Sequence, residues 1–208
     1  MSGKFISIEG IEGAGKTTQL NFIQQYLTEQ GKKLVLTREP GGTELSEQIR
    51  ELLLTPREEG MSVDTELLLM YAARAEHIEQ VIKPSLQRGD WVISDRFVDA
   101  TFAYQGGGRG VDIDRIQSLS DWTLKGLATD LTIVFDLSVE LSQQRVMSRN
   151  NEIDRFEQEK ADFFQRIRQS YLDRAEEEPS RIKVIDASQS IEDVQKQLVH
   201  IMNELNES

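Results

Sequence analysis

The segment Gly10-Ile11-Glu12-Gly13-Ala14-Gly15-Lys16-Thr17 constrains this chain more than any other. It matches G-x-x-x-x-G-K-[ST] at every fixed position. It follows a β-prone run, Phe5 to Ile8, and precedes a stretch with Leu20, Ile23 and Leu27 at helical spacing. A strand before it and a helix after it are the context in which this pattern forms a phosphate loop. Glycines let backbone N–H groups converge on phosphate oxygens, and the helix N-terminus adds a potential that favours anions. Lys16 can reach β- and γ-phosphates, and the Thr17 hydroxyl can bind Mg²⁺. The reading is a nucleoside triphosphate site made of Gly10 to Thr17 with Thr18 beside it. The loop does not by itself name the group that receives a phosphoryl.

The rest of the chain alternates in the same way. Leu34–Thr37, Trp91–Ile93, Leu131–Phe135 and Ile182–Ile185 read as further strands. Helical spacing marks Leu45 to Leu53, Asp64 to Arg88, Asp112 to Lys125, Val139 to Met147, Phe164 to Ala175 and Ile191 to Leu205. Ser190 with Asp193 reads as a capping box for the last of these. Strands alternating with helices predict an α/β fold, a doubly wound parallel sheet. Such sheets bind ligands beyond the carboxyl ends of their strands. Glu9-Gly10, Thr37-Arg38 and Asp95-Arg96 lie there. With no repeat and no linker, residues 1–208 read as one domain.

Composition narrows the partners. The 24 basic and 36 acidic residues sum to a charge of −12, which argues against binding the nucleic-acid backbone but not a small anion. With no cysteine, disulfide scaffolds and thiol chemistry are excluded. No apolar run approaches the ~18 residues of a membrane span, and the first residues do not form a signal peptide. A cytoplasmic protein without membrane or nucleic-acid partners is expected. Of the 24 basic residues 15 are arginine, the side chain that forks onto phosphate oxygens. Arg38, Arg50, Arg74, Arg96, Arg109, Arg149 and Arg155 are the candidates for that contact. Any one of them could instead pair with a surface acid. The D-x-x-G and N-K-x-D elements of a GTPase are absent.

Thr37-Arg38-Glu39-Pro40-Gly41-Gly42-Thr43, Asp95-Arg96-Phe97, Thr101-Phe102-Ala103-Tyr104-Gln105-Gly106 and Asp154-Arg155-Phe156-Glu157 follow the phosphate loop in order. With them the chain resembles the thymidylate kinases, which transfer a phosphoryl group from ATP to dTMP. The resemblance implies a P-loop NTPase fold with a five-stranded parallel sheet flanked by helices, dependence on Mg²⁺, and a homodimer. It implies that Lys16 and the loop amides hold ATP phosphates, and that Thr17 and Asp95 serve the metal. Glu12 would sit near the sugar 3′-hydroxyl and the acceptor phosphate. Arg38 and Arg96 would clamp that phosphate, with Pro40 and Arg50 nearby. Thr101, Gln105 and Arg74 would read the thymine edge, and Tyr104 would pack on the 2′ carbon.

Two departures from the family pattern matter. A phenylalanine commonly stacks on thymine four residues before the base-contacting arginine, and here that position is Met70. Tyr71 is one residue on, turned by ~100°, so Met70 is expected to cover the base through its polarizable sulfur. Met70 as core filler and Asp95 as a helix cap are the alternatives. Gly13 stands where one subgroup carries a loop arginine, so the chain resembles the subgroup that supplies basic residues from a lid. That lid spans about residues 145–157, with Arg149 reaching the ATP phosphates and Arg155 contributing. Lys16, Arg96, Arg149 and Glu12 are then the expected catalytic groups. A kinase of another small acceptor, with Glu39 as base for a hydroxyl, and an ATP-binding regulatory module are the competing readings.

Overall fold

The computed structural model describes residues 3–148 and 154–207. Arg149, Asn150 and Asn151 of the expected lid lie outside the described residues. Strands β1 (Phe5–Glu9), β2 (Leu34–Arg38), β3 (Trp91–Asp95), β4 (Leu131–Asp136) and β5 (Ile182–Asp186) form one sheet in the order β2-β3-β1-β4-β5. Every pairing is parallel, as the alternation predicts. All the carboxyl ends therefore open on one edge. β1 is central and buried along its whole length, and β2 and β5 at the edges are partly exposed. That is the distribution expected when only interior strands are covered on both faces.

Residues of β1 alternate between two cores. Ile6 and Ile8 join Ile23 and Leu27 of α1 (Lys16–Glu29) and Val194 and Leu198 of α9 (Ile191–Glu207). Phe5 faces the other way, among Leu67, Tyr71, Val92, Phe97 and Ile116. The Ser190 cap is present: its hydroxyl accepts from Asp193 N–H at 3.2 Å and donates to the Asp193 carboxylate at 2.8 Å. Thr43 caps α2 (Glu44–Leu54) in the same way, following a cis Glu39–Pro40 bond.

The single helix expected over Asp64 to Arg88 is divided. α3 (Val63–His77) widens into a π-helical turn, Ile78–Ile82, before α4 (Lys83–Gln87). Pro84 in the first turn of α4 explains this, since its ring clashes with the carbonyl four residues back and it has no N–H to donate. A second π-helical segment, Phe102–Gly108, continues α5 (Val98–Thr101). It lies against α8 (Ala161–Glu177) so closely that a Cβ on Gly108 would meet Phe163 Cε2 at 2.6 Å. The chain then forms α6 (Ile113–Leu124), and α7 (Val139–Met147) follows β4.

Candidate active site

A cavity of about 250 Å³ lies at the carboxyl edge of the sheet. Glu12, Gly13, Gly15, Lys16 and Thr17 of the phosphate loop line it. So do Pro40, Arg50, Met70, Arg74, Asp95, Arg96, Thr101, Tyr104 and Gln105. Ile11 and Ala14 are buried in the core instead, and Thr18 is exposed. The Gly10 and Ile11 carbonyls accept from the Lys16 ammonium at 3.0 and 3.1 Å. Burial, and then the nearby Arg96 charge, pull the Lys16 pKa down to about 8. α7 braces the loop from outside: Ser142 Oγ donates to Glu12 O at 2.7 Å and Arg145 to Gly13 O at 3.3 Å. Gly13 has φ +75°, and a Cβ there would lie 2.7 Å from the Ser142 carbonyl. An arginine at this loop position has no room.

Asp95 ends β3 with its Oδ1 buried and without a partner. The helix that follows is capped at Phe97 without any side-chain bond, so Asp95 is not its cap. An unsatisfied carboxylate oxygen and a threonine that line the same cavity suit a hard divalent cation. Among the described residues no group of three or more His, Cys, Asp or Glu could hold a metal by itself. Substrate phosphates would have to complete the shell, as is usual for Mg²⁺.

Arg96 is the hub of the site. Its backbone is left-handed, φ +71°, which costs a non-glycine residue about 1–2 kcal/mol. Its Nη2 donates to Glu12 Oε1 at 2.8 Å, and its guanidinium stacks 4.6 Å from the Tyr104 ring centre. The Tyr104 hydroxyl also donates to Glu12, at 2.7 Å. Behind them, fully buried Glu9 accepts from Phe97 N–H at 2.7 Å and from the Tyr171 hydroxyl at 2.8 Å. Burial, and then Asp99, push Glu9 up to about 8.

At Arg74, 3% exposed, Nε donates to Glu39 Oε2 at 2.7 Å and Nη2 to Phe97 O at 3.1 Å. Its Nη1 is buried and unpartnered, a donor left for the cavity. Glu39 spends its other oxygen on His77 Nδ1 at 2.9 Å. With both oxygens engaged, Glu39 is poorly placed to act as the base a hydroxyl acceptor needs. Gln105 donates its amide to Glu66 Oε1 at 2.8 Å. A carboxylate only accepts, so the Gln105 carbonyl oxygen is the atom left to turn elsewhere. Met70 lines the cavity, and Tyr71 is in the core with its hydroxyl on Ile116 O and Ser120 Oγ, as the helical offset predicts.

Two expected arginines have other partners. Arg38 is half exposed and pairs with Glu47 at 2.8 Å, outside the cavity. Glu47 lies in the first turn of α2 and also accepts from Gly42 N–H. Arg155 donates to Leu53 O and pairs with buried Glu66 at 2.6 Å. Each has a carboxylate within reach, and neither lines the cavity in this conformation. Arg50 does line it, with Nη1 on Pro40 O at 2.9 Å. Burial, and then Arg38, lower its pKa. Asp154, also lining the cavity, forms a reciprocal turn, accepting from Phe156 and Glu157 N–H while Glu157 accepts from Asp154 N–H.

Sequence reasoning missed Phe97, Ala100 and Phe156 in the lining, and Glu9, Glu66 and Tyr171 behind it. For Glu9 a signal was present, an acid closing an apolar central strand. Glu66 and Tyr171 sit at helical positions that look like any other amphipathic residue.

The family model described as Thymidylate kinase matches residues 8–198. A thymidylate kinase of Pseudomonas syringae pathovar tomato is 53% identical over 207 residues, covering 100% of this chain and 98% of that protein. One of Ruthia magnifica is 52% identical over 203 residues, covering 98% of each. The solved thymidylate kinase of Ehrlichia chaffeensis superposes with a TM-score of 0.79 at 35% identity, covering 97% of this chain and 99% of that one. A chain matched by this family model from residue 8 to residue 198, and 53% identical to such an enzyme along its whole length, belongs to the thymidylate kinase family.

Proposed function

We propose that residues 1–208 act as one nucleoside monophosphate kinase domain that performs its family's reaction with the groups brought together in this cavity. The reaction is transfer of the γ-phosphoryl group of ATP to dTMP, giving dTDP and ADP. One observation carries the assignment of groups. Lys16, Thr17, Asp95 and Arg96 share a single cavity with Arg74, Thr101 and Gln105, phosphate chemistry beside base-edge chemistry.

The dTMP phosphate is already a nucleophile at neutral pH, so no general base is required. Catalysis is positioning together with neutralisation of charge on the phosphoryl in flight. Lys16 and Arg96 supply positive charge within the cavity, and Arg149 supplies more from a lid over about 145–157. The crowding at Gly13 supports that division of labour, because no loop arginine fits there. Thr17 and Asp95 would hold Mg²⁺, which would neutralise phosphate charge. The Glu12 carboxylate fixes Arg96 and Tyr104 and remains close enough to the cavity to accept from a sugar hydroxyl. The free Nη1 of Arg74 suits the O4 acceptor of thymine, and the Gln105 oxygen suits its N3–H. Cytosine presents the opposite pattern at both positions. Arg50, rather than Arg38, is the second arginine for the acceptor phosphate. Among the described residues no helix is long and apolar enough to cross a membrane, and the reading places the work on free nucleotides in the cytoplasm.

ADP release measured with dTMP, dUMP, thymidine or no acceptor tests the reading. Turnover should be fastest with dTMP, absent with thymidine, and lost in Lys16→Ala with the fold intact. Turnover of thymidine, or near-normal activity of Lys16→Ala, would overturn it.

A further inference from the structure

We propose that Glu9 and Tyr171, neither of which lines the cavity, are positioning residues that hold Arg96 in its working conformation. The proposal rests on the reading of Arg96 as the phosphate clamp.

Arg96 occupies a left-handed backbone conformation that persists in a non-glycine residue only when its surroundings over-determine it. Its flanks are pinned at three points. Arg96 N–H donates to Ile8 O at 2.9 Å, and its own carbonyl accepts from Ser94 Oγ at 2.6 Å. Phe97 N–H, the next donor along the chain, is taken by Glu9 Oε1 at 2.7 Å. The other oxygen of the same carboxyl group meets the Tyr171 hydroxyl at 2.8 Å, and that hydroxyl accepts from Arg96 Nη1 at 3.3 Å. One buried side chain at the end of the central strand thus fixes the backbone just after Arg96 directly. It fixes the guanidinium through a single tyrosine.

The arrangement survives either protonation state of Glu9. Phe97 N–H donates to Oε1 in both. The Tyr171 oxygen keeps a lone pair for Arg96 whether its hydroxyl donates to a carboxylate or accepts from a carboxylic acid. The guanidinium Nη2, facing Glu12, is held from the cavity side. Arg96 is therefore gripped from both sides, and its fork is aimed before any phosphate arrives. Such preorganisation raises rate because no reorganisation is left for the transition state.

The test is a double-mutant cycle. Tyr171→Phe keeps the ring, 2% exposed in the α8 core, and removes only the hydroxyl. We expect kcat/KM for dTMP to fall about tenfold, with KM for ATP changed less than twofold and the far-ultraviolet circular dichroism unchanged. In an Arg96→Ala background, assayed at high enzyme concentration, the same substitution should cost nothing further. Glu9→Gln, which can still accept from Phe97 N–H and donate to Tyr171, should keep activity within threefold, whereas Glu9→Ala should not. Equal fractional losses from Tyr171→Phe in both backgrounds would overturn the positioning role and leave the clamp reading standing. Normal turnover by Arg96→Ala alone would overturn the clamp reading, and the positioning role with it.

Discussion

Lys16 occupies a place where a cation is useful only once a polyphosphate is bound. Without one, its ammonium is held by two carbonyls in a site that lowers its pKa from 10.5 to about 8. The unfolded chain therefore binds that proton more tightly between about pH 8 and 10.5, and folding stability attributable to this residue rises across that window. Below pH 8 the folded state bears the full cost of the buried charge. Lys16→Met should then raise the Tm of the ligand-free protein at pH 7, with the gap closing towards pH 10.5. ATP should stabilise the parent and not the variant. Thermal melts across pH, with and without ATP, check this, and a gap that does not change with pH would refute it. Arg74 illustrates a related economy of placement. A residue 3% exposed keeps one unpaired nitrogen, which costs stability unless an acceptor takes it.

Helix α7 and the phosphate loop form a unit at the next scale up. The loop conformation is local, set by glycines at positive φ, but its rigidity comes from Ser142 and Arg145 on a helix far along the chain. Gly13→Ala meets two penalties, a left-handed backbone and a Cβ against the Ser142 carbonyl. It should cost about 1–3 kcal/mol of stability and raise KM for ATP. Gly60→Ala is the control, with φ +69° and no atom within 4 Å of the added carbon. It should show a smaller loss and an unchanged KM for ATP. Equal effects of both substitutions on KM, read by steady-state kinetics and denaturant melts, would count against the brace. The π-helical segments belong to this scale too. The sequence predicts a helix through Pro84, and the proline's missing donor converts part of it into a wider turn.

Across the whole molecule, charge is sorted rather than spread. Arg109, Arg155, Arg168, Arg174 and Arg181 are ion-paired with Glu66, Asp136 or Asp99. Most of the arginine excess is consumed by the chain's own acids, while Arg50, Arg74 and Arg96 line the cavity. The surface also exposes some large apolar side chains. Leu68 on α3 and Trp122 on α6 are 57% and 75% exposed, on helices joined by the Arg115–Asp64 pair. Scattered exposed apolar residues need no explanation; for the homodimer expected from the family resemblance, Trp122 is the residue to test. Trp122→Lys should shift the sedimentation coefficient of a dimeric protein to that of a monomer at low micromolar concentration. An unchanged value would place the interface elsewhere.

The sequence by itself determined the parts whose physics is local. Glycine spacing, a lysine and a threonine define the phosphate loop, because its function uses the backbone of eight consecutive residues. Alternating periods define the parallel sheet, and the sheet fixes which strand ends meet. The helical offset of 100° separates Met70 from Tyr71, and both lie on the sides that this predicts. What only the tertiary structure decided is which arginine faces which acid. Arg38, Arg50 and Arg155 look alike in a sequence, and their partners are chosen by side chains brought near by folding. Glu9 and Tyr171 are 162 residues apart, and no spacing rule connects them. Their hydrogen bond exists because α8 packs across the end of the central strand, a contact that only the folded chain creates.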